Sequence, residues 1–313
     1  MSGLSFKGPA PIVITIALAL CTTGCNLTAL LLKAQTDGAK EFTDAKGGEF
    51  ADPDLVGPVL ANGLITSEGS IYYVPDYEPL LQTTIYGNVA YGVGWLQTEA
   101  LDAELNGKYD QAEHLNARAG LLFARGLLLA KRMLRLRDAG FDDALAGGLD
   151  KFKPWVDENF FEKEDAEPLL VAGTAYFVGM LESEEGLAAS VDLPYARYMV
   201  ERSVQLDPLV QGAQGLGILG AYWCTVPQMV GGNPKLGYEL LMKGAALTNR
   251  GSHGLLVTAA ERCAPALQDR KLYHDLLTEV IEAGDVPKYR LPNKIARRKA
   301  ERFLRQIDEL FYD

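Results

Sequence analysis

The chain predicts an all-α fold, a stack of antiparallel helical hairpins forming an α-solenoid. Two observations carry this. The first is the stretch from Pro194 to Gly251, which reads as three helices separated by breaks. Ala196, Met199, Val200, Ser203 and Val204 share one face and end at Asp207-Pro208, where proline stops a helix sterically. Ala213, Leu216, Gly217, Gly220, Ala221 and Cys224 then recur at helical spacing, and after Gly231-Gly232-Asn233-Pro234 so do Gly237, Leu240, Leu241, Gly244 and Thr248. Small residues on such stripes let helices approach closely, and a hairpin of this kind buries its stripe only by stacking on others. The second observation is negative. No alternating run reads as a strand; Ser70 to Val74 is the nearest and is very short.

In chain order, Lys7 is the only side-chain charge before Lys33, and Ile12 to Leu20 is a short apolar core leading to Cys21-Thr22-Thr23-Gly24-Cys25. This is the layout of a secretory signal. With cysteine directly after glycine it resembles a bacterial lipobox, which implies residues 1–24 as signal peptide and lipid on Cys25. Thr22 stands where leucine is usual, and Cys21 lacks a small residue before it. The competing reading is an uncleaved anchor from Ile12 to Leu32, made poor by Thr22, Thr23, Gly24 and Asn26. Residues 25–49 are read as the lipidated terminus, a helix over Leu27 to Thr43 and a loose Lys46-Gly47-Gly48 tether.

Residues 50–313 form one all-α domain. Asp52 caps a helix with Pro53 in its first turn, running to about Thr66. A tyrosine-rich irregular connection follows between Pro75 and Pro79. Helices over Leu80–Leu105 and Tyr109–Leu136 make the first large hairpin, broken at Asn106-Gly107. Phe141 to Asp150 is a short helix and Asp157 to Asp165 an acidic connection. Leu169–Glu182 pairs with the Tyr195 helix; Gly254–Arg262 pairs with Leu272–Glu282. Asn293–Tyr312 closes the chain.

Ala196, Val200, Ser203 and Pro208 fall at the offsets of the second helix of a tetratricopeptide repeat. Ala112, Asn116 and Ala119 echo them, as do Gly237, Leu241 and Gly244. The stack is thus tetratricopeptide-like and degenerate. Asp52-Pro53-Asp54-Leu55-Val56, the Glu201–Pro208 run, Gln268-Asp269-Arg270 with Leu276-Leu277, and the ending Arg290-Leu291-Pro292-Asn293, Arg297-Arg298-Lys299-Ala300 and Asp308-Glu309-Leu310-Phe311 occur in that order. Together they resemble the T-component family of tripartite ATP-independent periplasmic (TRAP) transporters, over roughly residues 50 to 313. The resemblance implies a periplasmic lipoprotein working beside a solute-binding component, with no catalytic residue and no cofactor to carry over.

The chemistry-bearing motifs point away from catalysis. A net charge of −11 disfavours nucleic acid and anionic lipid as electrostatic partners. Gly215-x-Gly217-x-x-Gly220 matches a dinucleotide fingerprint but lacks the preceding strand, so it reads as a packing stripe. His114, His253 and His274 form no metal-ligand spacing. Cys224 and Cys263 read either as a disulfide or as two buried thiols. Tyr86, Tyr91, Trp95, Tyr176, Tyr222 and Trp223 lie on inward-reading helices, either as core or as the lining of a groove for an apolar ligand or a partner protein.

The expected function is an envelope lipoprotein that scaffolds the solute-binding component of a TRAP transporter and assists uptake of a small organic ligand. The alternative is a general adaptor in outer-membrane or pilus assembly. Asn26 after Cys25 favours the outer membrane, and such a stack is compatible with a homo-oligomer.

Overall fold

The computed structural model describes residues 24–181 and 193–311. Among these the backbone is helical almost throughout, with no strand. The signal segment, the Cys25 side chain, Glu184-Glu185 and Tyr312 lie outside the residues or side chains described.

Helix α1 (Gly24–Lys46) leads into a 3-10 turn, Gly47–Glu49. The loose tether expected at Lys46-Gly47-Gly48 is therefore ordered. A Cβ on Gly48 would sit 2.1 Å from the Lys288 carbonyl oxygen, and Arg290 Nη1 donates to the Glu49 carbonyl at 3.2 Å. Only glycine permits that approach.

Helix α2 (Pro53–Tyr73) begins as its sequence dictates, the Asp52 carboxylate accepting from the Asp54 and Leu55 amides at 2.9 and 3.3 Å. It runs well past Thr66, absorbing the Ser70–Val74 stretch. Periodicity explains this: Leu64, Ile71 and Val74 are buried on one side while the β-branched run itself is too short to pair. Helix α3 (Glu78–Tyr91) passes through a π-helical turn (Gly92–Leu96) into α4 (Gln97–Leu105), and the long α5 (Tyr109–Arg137) packs along both. Helices α6 (Phe141–Ala146) and α7 (Leu149–Asn159) follow. The second was not expected; it lies mostly before the acidic connection, reaching only to Asn159, and forms because Phe152, Trp155 and Val156 recur on its inner face.

Helices α8 (Ala166–Leu181) and α9 (Leu193–Leu206) form one hairpin, and α10 (Gln214–Thr225) and α11 (Pro234–Leu247) the next. Helix α12 (His253–Thr258), a second π-helical turn (Ala259–Cys263) and α13 (Ala264–Ala266) precede α14 (Arg270–Glu282), α15 (Arg290–Arg305) and α16 (Ile307–Leu310).

The glycines of the central stripe do what their spacing implies. A Cβ on Gly220 would lie 2.8 Å from the Gly237 carbonyl oxygen and one on Gly237 would lie 2.6 Å from that of Gly220. Gly215 and Gly217 abut Val204 and Leu255, so the dinucleotide-like fingerprint is a helix contact. One core gathers Ile85, Phe152, Leu169 and Val200; a second gathers Leu241, Ala260, Tyr273 and Leu277; a smaller one holds Leu96, Leu115 and Phe123.

The stack returns on itself. Helix α15 packs against α12 and α14 and also against α2 and α4. Arg298 grips Asp54 with two bonds of 2.7 Å, and Arg302 Nε donates to Asp102 at 2.9 Å. Asn293, buried, donates to the Gly251 carbonyl at 2.8 Å and accepts from the His253 amide at 3.0 Å. The last long helix is thereby fixed to the neighbouring turn and to the first hairpin at once.

Candidate ligand- and partner-binding surfaces

The aromatic residues singled out in the sequence fall into separate groups. Tyr222 and Trp223, adjacent on α10, have ring centroids 5.2 Å apart, and Phe177 of α8 lies 5.8 Å from Tyr222. The Arg197 guanidinium of α9 stands 5.7 Å from the Tyr222 ring and 5.4 Å from that of Trp223. Glu201, one turn on, pairs with Arg197 at 3.2 Å. A cation held over two rings while a carboxylate fixes its other side is a preorganised, partly open platform. Apolar groups can stack on it and an anionic end can reach its guanidinium.

Tyr91 and Trp95 stack at 6.1 Å on the first π-helical turn. The Trp95 indole N–H donates to the Pro53 carbonyl at 2.9 Å, and its ring is so close to Gly57 that a Cβ there would lie 2.4 Å away. Its polar edge is thus committed to seating α2. Tyr176 is a correction to the expected lining. It is fully buried, with Lys131 Nζ 5.7 Å from its ring, because its position on α8 turns it into the first core.

Tyr86 is 43% exposed, yet desolvation raises its phenol pKa, with the Glu167 and Asp44 carboxylates adding to the effect. Beside it, Glu167 accepts from Lys40 Nζ at 2.7 Å and from Gln211 Nε2 at 3.1 Å. Burial pushes the Glu167 carboxyl up, but these donors outweigh it and hold the group below its ordinary value. Lys40 is the mirror case: burial opposes its charge, while Asp44 and Glu167 raise it overall.

Lys299 of α15 feels charges of the second π-helical turn and of its own helix. Desolvation lowers the Lys299 ammonium pKa, Glu261 opposes this, and Arg262 and Arg302 reinforce it. Nothing in the sequence separates Glu167, Arg197 or Lys299 from ordinary surface charges; only the assembled stack does. Their one legible signal was the i,i+4 pairing of Arg197 with Glu201.

Cys224, at the end of α10, and Cys263, in the second π-helical turn, are joined, with Cα atoms 4.9 Å apart. The bond ties α10 to the segment that leads into α14. His253 is buried and desolvation lowers its pKa, with Glu279 opposing. Among the described residues no group of three His, Cys, Asp or Glu could hold a metal ion, and no helix is long and apolar enough to cross a membrane.

On the outside, a groove of about 1320 Å³ runs along α5, between the end of α4 and α16. Ala112, Asn116, Ala117, Gly120 and Ala124 line it together with Leu121, which is 73% exposed. It is too large and open for a drug-sized ligand and suits a protein segment.

Among curated proteins none matches the chain. The model of one family, the TRAP transporter T-component, matches residues 49–311, which takes in the capped start of α2, the glycine-packed centre and the returning α15. The family is one of transporter components rather than of enzymes. The chain belongs to the TRAP transporter T-component family.

Proposed function

We propose that this T-component is held in the envelope by lipid on Cys25 and docks the solute-binding component of its transporter. In doing so it assists uptake of a small organic, largely apolar ligand. The observation that carries the ligand half of this reading is the Arg197 platform over Tyr222 and Trp223, which offers ring faces and one cation together. The groove along α5 is the proposed docking place for the protein partner. Its small lining residues admit a close approach, and Leu121 supplies an apolar anchor.

The experiment is a pull-down from envelope extract with the parent and with Leu121→Arg, together with mass spectrometry of small molecules retained by the parent and by Tyr222→Ala. The reading requires the solute-binding component on the parent, its loss on Leu121→Arg, and loss of the retained molecule on Tyr222→Ala. Recovery of outer-membrane or pilus assembly proteins, with no solute-binding component, would replace it with the general adaptor role.

A further inference from the structure

Helix α1 is attached to the body along its length. Ala29 and Leu32 pack against the first core, Lys33 Nζ lies 5.1 Å from the Tyr77 ring, and the Tyr77 hydroxyl donates to Asp37. Lys40 pairs with Glu167 at 2.7 Å, and the turn after the helix is clamped at Gly48 and Glu49. Its opposite side, near the beginning, is bare. Leu27, Leu30 and Leu31 are 49%, 64% and 61% exposed. At 100° per residue they point away from Ala29 and Leu32.

Two further facts say what covers them. No charge occurs from Gly24 to Leu32, whereas Lys33, Asp37, Lys40, Glu41 and Asp44 crowd the remainder of the helix. The apolar side is therefore densest at the end nearest Cys25, two residues before Leu27; further along, Phe42, 54% exposed, is set among charges and pairs edge-on with Phe50 at 6.1 Å. A protein partner would find three leucines pressed against the point where the chain enters lipid. Acyl chains would find an apolar patch followed at once by a polar stem, the order that an interfacial helix requires.

We infer that the first two turns of α1 dip into the leaflet beside the Cys25 anchor, with Leu27, Leu30 and Leu31 among the acyl chains. The rest of α1 then stands as a rigid strut that sets the height and tilt of the body above the membrane. The strut rests on the anchor reading for its position but not for its chemistry, so the two fail separately.

The test uses the full chain in vesicles of phosphatidylethanolamine and phosphatidylglycerol, with ordinary or brominated acyl chains. Leu30→Trp and Glu41→Trp are compared after subtraction of parent emission from Trp95, Trp155 and Trp223. Both positions are exposed, so neither change disturbs packing. Brominated lipid should remove about half of the added Leu30→Trp emission and leave Glu41→Trp, about 16 Å further along the helix, nearly unchanged. The mass of the N-terminal peptide reports the lipid on Cys25 independently. An acylated Cys25 with unquenched Leu30→Trp overturns the strut and leaves the anchor. Quenched Leu30→Trp without acylation supports the leucine contact and removes the anchor. Equal quenching at both positions means a helix lying flat, and emission that shifts only when the solute-binding component is added means a protein contact; either overturns the inference.

Discussion

Replacing Gly220 or Gly237 by alanine should destabilise the protein even though alanine is the better helix former. At Gly220 the added methyl would meet the Leu241 side chain at 2.5 Å and the Gly237 carbonyl oxygen at 2.8 Å. At Gly237 it would meet Cys224 Sγ at 2.4 Å and the Gly220 carbonyl oxygen at 2.6 Å. Two of these four neighbours are backbone and a third belongs to a disulfide, so the helices themselves must separate. Overpacking of a close contact costs about 1–3 kcal/mol, and here the upper part of that range applies because backbone must move. Removing glycine from a helix interior returns about 1 kcal/mol. The net expectation is a loss of about 1–2 kcal/mol at either position. Gly63 of α2 provides the control, because a Cβ there meets nothing within 4 Å. Gly63→Ala should gain about 0.5–1 kcal/mol from propensity alone. Urea unfolding of the three variants and the parent, all oxidised, measures the shifts in midpoint. If Gly220→Ala and Gly237→Ala unfold no earlier than the parent, the two helices are not held at glycine distance and the packing argument fails.

Four other expectations can be checked on the same material. Asn293→Ala should cost about 2–4 kcal/mol in urea unfolding, since it leaves the buried Gly251 carbonyl and His253 amide unpaired; a loss under about 1 kcal/mol would mean water replaces both bonds. Reducing the Cys224–Cys263 bond, which closes a separation of 39 residues, should cost about 3–4 kcal/mol, read from urea midpoints with and without reductant. Glu167→Gln should cost about 1–2 kcal/mol near neutral pH. Because the folded-state pKa of Glu167 is lowered, this contribution is whole above the ordinary carboxylate value and is lost as pH falls through the folded value, so parent and variant should converge in acid. Trp95→Phe, which deletes the donor to the Pro53 carbonyl, should cost about 1 kcal/mol; an unchanged midpoint would mean that α2 is seated by other contacts.

Local rules carried the fold a long way. The cap at Asp52 and the glycine stripe are properties of a few consecutive residues, and each appears where the sequence places it; Asn233 and Asp269, read only as a break and a landmark, also cap their helices. Two kinds of feature escaped. Boundaries moved where one buried face outlasted the punctuation, as when α2 ran past Thr66 and α7 ran on past Asp150 to Asn159. The π-helical turns also escaped, because one extra residue per turn leaves the hydrophobic spacing nearly intact. The candidate surfaces were half legible. Aromatic type and helical phase picked out these side chains but could not tell the enclosed Tyr176 from the open Tyr86, since which side of α8 faces a core depends on packing with α5 and α9. The partners of these groups come from other helices: Glu167 carries no local mark, and Arg197 only its i,i+4 pairing with Glu201.

A linear array of repeats has two free ends, and it frays from them, each terminal unit lacking a neighbour on one side. Here the bonds from Arg298 to Asp54 and from Arg302 to Asp102 give the outermost units each other as neighbours. Melting then has no natural starting point, and the number of hairpins is no longer adjustable: adding or deleting one would prevent the ends from meeting. Such an assembly can vary its loops and side chains over evolutionary time far more easily than its count.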